Sequence, residues 1–130
     1  MPSTKPTFVL TIDGKKRAVP TLAKLRAALK SASTASEVWL NCSDGQALSM
    51  LANGDRAWLM FIPEPGEAGF SSRGNDAIAK GKTTLDFRLS NGQVDRYPIA
   101  WTMPRAEACK ALEHFFERGE RAPFVKWHAD

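Results

Sequence analysis

Asn53-Gly54-Asp55-Arg56-Ala57-Trp58-Leu59-Met60-Phe61-Ile62 joins a turn signal to an unbroken apolar run. Asx-Gly supplies the positive φ angles of a tight hairpin turn at low steric cost. The run Ala57 to Ile62 is apolar at both parities. A strand built from it buries both faces, so it needs a layer packed on each side. The run Ala47 to Leu51 precedes the turn and supplies the antiparallel partner. The same signal recurs at Asp13-Gly14, between Phe8 to Ile12 and Lys15 to Val19, and at Asn91-Gly92, between Thr84 to Leu89 and Gln93 to Trp101. Three hairpins are expected, and Glu37 to Asn41 adds a short strand. Leu85, Phe87 and Leu89 alternate with polar residues, so that strand has one wet face. Pro98 lacks a ladder N–H and places its strand at an edge or a bulge.

Two helices complete the pattern. Leu22, Leu25, Ala28 and Leu29 share one face behind Pro20-Thr21, with Thr21 as the cap. Ala108, Leu112, Phe115 and Phe116, with Ala111 beside them, form the apolar face of a second helix. It starts near Pro104 and stops at Gly119 ahead of Pro123. The expected fold is α+β, a mainly antiparallel sheet of three hairpins and a short extra strand with two helices. It forms one domain over residues 1–130, with 1–6 as a frayed tail.

With 130 residues, 43% hydrophobic and 25% charged, the chain is large enough for an ordinary core. No apolar run approaches the ~20 residues that span a bilayer. No secretory leader is evident at Met1 to Pro6, so the expected location is cytoplasmic. Cys42 and Cys109 are then reduced, small side chains. The net charge is +4 and unevenly spread. Lys5, Lys15, Lys16, Arg17, Lys24, Arg26 and Lys30 face only Asp13 in the first thirty residues. Glu37, Asp44, Asp55, Glu64 and Glu67 face only Arg56 between Ser31 and Ser72. An acidic face would steer the protein toward a basic surface.

Residues that would mark an enzyme are missing. His114 and His128 are the only histidines, and with two cysteines they lack the spacing of a zinc site. No metal or cofactor is expected. Gly69-Phe70-Ser71-Ser72-Arg73-Gly74 has the glycine spacing of a P-loop, but Asn75-Asp76 stands where lysine and a hydroxyl should hold phosphate and magnesium. No serine has glycine two residues away on both sides, which excludes the nucleophile elbow. Glu64 and Glu67 lie in the polar loop Pro63 to Gly69, a solvated setting that does not suit a catalytic acid. The aromatic residues fall at core positions rather than on a stacking platform, so direct nucleic-acid binding is the weaker reading. It would use the basic N-terminal third. No small-molecule substrate and no membrane contact are expected.

Phe70-Ser71-Ser72-Arg73-Gly74-Asn75 resembles the F-x-S-[KR]-G-N run of a family of bacterial immunity proteins. This is the first of the numbered Imm families of polymorphic toxin systems, typically encoded beside deaminase toxins. Ala108, Phe115-Phe116 and Arg121-Ala122-Pro123-Phe124-Val125-Lys126-Trp127 are similar to the family's closing helix and its [RK]-P-x-x-[ILV]-x-W segment. One residue is inserted between Arg121 and Pro123. The resemblance implies a non-enzymatic inhibitor that binds its cognate toxin domain and occludes the active site or substrate groove. The candidate contacts are Glu64 and Glu67 for steering, Phe70 and Arg73 as anchors, and Ser72 and Asn75 beside them. Gly69 and Gly74 are expected to shape the loop, Gly74 through a φ angle reserved for glycine. Asn75 is expected to bond backbone there, and Trp127 to pack under the last helix.

Overall fold

The computed structural model describes residues 6–130. The expected tail lies, apart from Pro6, outside the described residues. Strand β1 (Phe8–Ile12) turns into β2 (Lys15–Ala18) through Asp13-Gly14, both at positive φ, with Ile12 opposite Lys15. Helix α1 (Leu22–Ser31) follows, and the Thr21 hydroxyl accepts from the Lys24 N–H at 3.2 Å. Next come β3 (Ala35–Cys42), β4 (Ala47–Asn53) and β5 (Arg56–Ile62). Asn53 stands opposite Arg56, so the turn centres on Gly54-Asp55, one residue later than expected. Only Gly54 has positive φ there, the II′ pattern.

The second half contains β6 (Phe70–Arg73), β7 (Thr84–Arg88), β8 (Val94–Pro98), the two-residue β9 (Met103–Pro104), α2 (Arg105–Arg118) and β10 (Lys126–Ala129). Short 3₁₀ turns lie at Ile78–Lys80 and Ile99–Trp101. The run expected as strand to Trp101 therefore ends at Pro98. In the third hairpin the Leu89 N–H donates to Gln93 and the Gly92 N–H to Leu89, with Gly92 at φ 89°. That is a three-residue loop closed by a glycine bulge.

The fold is α+β and every strand pairing is antiparallel. The main sheet runs β10-β6-β5-β4-β3-β1-β2, and β9 pairs the start of β5. One expectation is corrected here. The third hairpin, β7–β8, is not in the main sheet but forms a ribbon of its own. Positions beside β5 are already taken by β6 and β9, so the ribbon packs flat on the sheet instead. It covers Leu51 and Trp58 with Phe87, supported by Leu85, Leu89, Tyr97 and Trp101. The Trp58 ring stacks on Tyr97 at 4.4 Å. The Glu37 carboxylate accepts from the Trp39 indole N–H and from Ser90 N–H, and Asn53 Nδ2 donates to Asp86 O, tying ribbon to sheet.

The two helices cover the opposite face. Leu10, Leu25, Val38, Leu40, Leu48, Met50, Leu59, Leu112 and Phe115 are fully buried there. Each such side chain contributes about 1.5–3 kcal/mol. On α2 the expected face is buried at Ala108, Ala111, Leu112 and Phe115, while Phe116 stays half-buried against Phe8. Gly119 closes the helix in the left-handed conformation. Both faces of β5 are thus covered, as its sequence requires. Edge strand β2 is exposed throughout, and Lys15, Lys16 and Arg17 blunt it.

Candidate functional site

The polar loop 63–69 brings the chain back hard onto β5. Gly69 has φ 77°, and a Cβ there would collide with the Phe61 carbonyl. Strand β6 then pairs β5 only at Met60–Ser71 and Phe61–Phe70. Its other edge pairs β10, with Phe70 opposite Ala129, Ser71 opposite His128, Ser72 opposite Trp127 and Arg73 opposite Lys126. The segments 70–75 and 121–127 are therefore brought together where β6 and β10 pair.

Ser72 does not reach a surface. It is fully buried, and its hydroxyl accepts from Leu59 N–H and donates to the Trp101 carbonyl, each at 3.0 Å. It takes over the Leu59 amide where the β5–β6 ladder stops, so its part is internal rather than a toxin contact. Ser71 is buried as well, donating to Asp130 at 2.8 Å while His128 Nδ1 approaches the same oxygen at 3.1 Å. The carboxylate stands between serine and histidine, so this is not the order of a nucleophilic triad.

Gly74 differs from expectation in its reason. Its φ is not left-handed, but a Cβ would collide with Thr102 O and the Ala79 methyl. Close approach of two chains, not a special φ, requires glycine. The Gly74 N–H donates to Ala100 O at 2.7 Å. Asp76 follows and meets Arg56, whose Nη1 and Nη2 reach its two carboxylate oxygens at 2.5 and 3.0 Å. Arg56 is buried and also donates to Thr102 Oγ1 and O. These bonds hold the Asp76 carboxyl below its usual range, against the opposing effect of burial. This clasp was missed from sequence. An arginine heading an apolar strand needs a carboxylate, which is the sequence signal for a clasp, and the fold supplies Asp76 as the partner.

Arg73 lies with its guanidinium 4.3 Å over Trp101, and Nη1 donates to Ser71 Oγ and Ser72 O. Burial lowers its pKa while Asp130 opposes the shift, and an arginine so placed stays charged. Phe70 is not a free anchor. It is half-buried against the core, with the Arg121 guanidinium 3.7 Å above its ring. Trp127 packs on the same core, which includes the apolar face of α2, and its indole N–H donates to Ala122 O at 2.9 Å. Asn75 is exposed, and its side chain makes no hydrogen bond among the described residues, contrary to the expected backbone role.

Arg73, Asn75, Asp76, Glu107, Phe124 and Lys126 line a pocket of ≈ 240 Å³ where β6 ends and β10 begins, beside the start of α2. Phe124 is 49% exposed at its rim. Glu64 and Glu67 are exposed in their loop and do not line it. The acidic stretch forms no single face. The 63–69 loop, with Pro65 against Gly45, lies near Asp44, whereas Asp55 sits at the opposite end of the β4–β5 hairpin and Glu37 is committed to the ribbon.

Among the described residues no group of three or more His, Cys, Asp and Glu gathers to hold a metal. Cys42 and Cys109 are free, and burial raises both thiol pKa values. No helix is long and apolar enough to cross a membrane. No protein-family model matches the chain, and no curated protein matches its sequence.

Proposed function

We propose that this chain is a cytoplasmic immunity protein that binds a cognate bacterial toxin domain, a nucleic-acid-targeting deaminase by resemblance, and blocks its active site or substrate groove. The observation that carries this reading is the pairing of β6 with β10. Phe70 to Asn75 and Arg121 to Trp127 meet where Ser72 and Arg73 pair Trp127 and Lys126, and both segments line one pocket. Inhibition by occlusion needs no catalytic group. It needs a surface of ~1,200–2,000 Å² with a few anchored side chains. Arg73, Asn75 and the exposed Phe124 offer such anchors at the pocket. Glu64 and Glu67 stand free to steer a basic partner.

The test is co-expression with the C-terminal domain of the neighbouring toxin gene, followed by pull-down and growth. Complex formation with rescue is expected. A chain that neither binds nor protects would end the proposal. One observation favours a second reading, nucleic-acid binding: Lys15, Lys16 and Arg17 are all exposed on edge strand β2. Reversing those three charges removes function only under that reading.

A further inference from the structure

Arg73 and Lys126 stand directly opposite each other on the β6–β10 ladder. Like charges in that position destabilise a sheet. Among the described residues no carboxylate lies in ion-pair contact with either cation. Asp130 attracts Arg73 through space but sits beyond the Ser71 hydroxyl, which bonds both, and makes no direct ion pair with it. Asp76 is occupied by Arg56. Glu107 lies in the first turn of α2, where a carboxylate complements the helix dipole, and it pairs with no cation among the described residues.

The Arg73 guanidinium is also fixed in plane. Trp101 supports its face, and Nη1 is bonded to Ser71 and Ser72. Among the described residues its Nε and Nη2 make no hydrogen bond, whereas Nη1 makes two. The Asn75 amide is unpartnered on the same pocket wall. A guanidinium held in plane with one free edge matches a planar two-oxygen acceptor.

We infer that this pocket receives a carboxylate side chain, an aspartate or glutamate of the partner protein, bound by Arg73, Lys126 and Asn75. The proposal rests on the immunity reading for the partner's identity, but not for the anion chemistry. Arg56, behind the lining, neutralises Asp76, so Arg73, Lys126 and Glu107 leave a single net positive charge at the pocket, which suits a monoanion. Phosphate would bring a second negative charge against Asp76 and Glu107, and a nucleic-acid backbone would bring a row of them. The volume of ≈ 240 Å³ accommodates one side chain, not a groove-filling segment. The like-charge pair is then a cost in the free protein that the partner relieves.

Two measurements test this on the full chain. In the first, the Arg73 Nε–Hε resonance of the ¹⁵N-labelled protein is followed while N-acetylglutamate amide or inorganic phosphate is added at millimolar levels. A saturable shift with the carboxylate, weaker with phosphate and lost in Lys126→Gln, is expected. No shift, or a stronger response to phosphate, overturns the carboxylate assignment. In the second, Arg73→Gln and Lys126→Gln are compared for toxin-domain affinity and for melting of the free protein. Truncating one side of a buried charge pair weakens binding by about 30-fold or more. Lys126 is exposed, so Lys126→Gln folds and should raise the melting temperature of the free protein while weakening the complex. If wild type binds the toxin and both variants bind within about twofold of it, the pocket assignment fails and the immunity reading stands. If wild type does not bind, the immunity reading fails, and the resonance titration alone decides the anion site.

Discussion

Replacing Asp76 by asparagine keeps the shape of the side chain and removes its charge. Arg56, 8% exposed, then keeps its bonds to Thr102 but loses the carboxylate that neutralises it. Breaking a fully buried ion pair from one side costs about 3–5 kcal/mol. The Asp76 side chain is 32% exposed, so water reaches its end of the pair. That screening, with the surviving Thr102 bonds, brings the expected loss to about 2 kcal/mol. With a urea m value on the order of 1.5 kcal/mol/M, the unfolding midpoint falls by about 1.3 M. The pH dependence adds a second check. The Asp76 carboxyl is held below its usual range chiefly by the Arg56 hydrogen bonds. A depressed pKa stabilises the fold above the unfolded value, near 4, and that stabilisation is lost as pH falls through the folded value. The gap between wild type and Asp76→Asn should therefore be full at neutral pH and close progressively below about pH 4. Equal midpoints at neutral pH, or a gap that persists undiminished in acid, would refute the assignment of this pair as the clasp of the site.

Gly74→Ala forces a methyl group into Thr102 O and Ala79, so a loss of about 1–3 kcal/mol is expected, measured by thermal melting. Phe87→Ala empties the centre of the smaller core and should cost about 3–5 kcal/mol by denaturant titration. Glu64→Lys with Glu67→Lys should leave stability within about 0.5 kcal/mol, since both are exposed. Under the immunity reading the same double change slows toxin association at low salt, by stopped-flow, and leaves dissociation nearly unchanged.

Local chemistry made much of the fold legible. Asp13-Gly14 and Asn91-Gly92 are turns whatever surrounds them, and Thr21 and Gly119 mark helix ends by their own bonding and conformation. The double-sided apolar run at Ala57 to Ile62 required two covering layers, and two are present. The identity of the second layer was not legible. Whether a hairpin extends a sheet or lies on it depends on what already occupies the sheet edge, here β6 and β9. Strand β6 itself was hidden for the same reason. Phe-Ser-Ser-Arg between glycines has little strand character, and its conformation comes from β5 and β10. The site shared this limit. Arg73 and Asn75 were visible as candidates, but Lys126 joins them only through long-range pairing. Ser72 looked like a surface hydroxyl because nothing local shows that the Leu59 amide needs an acceptor.

Trp101, on which Arg73 rests, belongs to the cluster beneath the β7–β8 ribbon rather than to the larger core. Leu51, Trp58 and Phe87 are the buried members of that cluster, so the ribbon opens at less expense than the helices over the larger core. When it lifts, the platform under the guanidinium moves with it. Orientation of the pocket's arginine and closure of the ribbon are therefore one event. A ligand that clamps Arg73 will slow amide hydrogen exchange along Thr84 to Pro98, in strands it never touches.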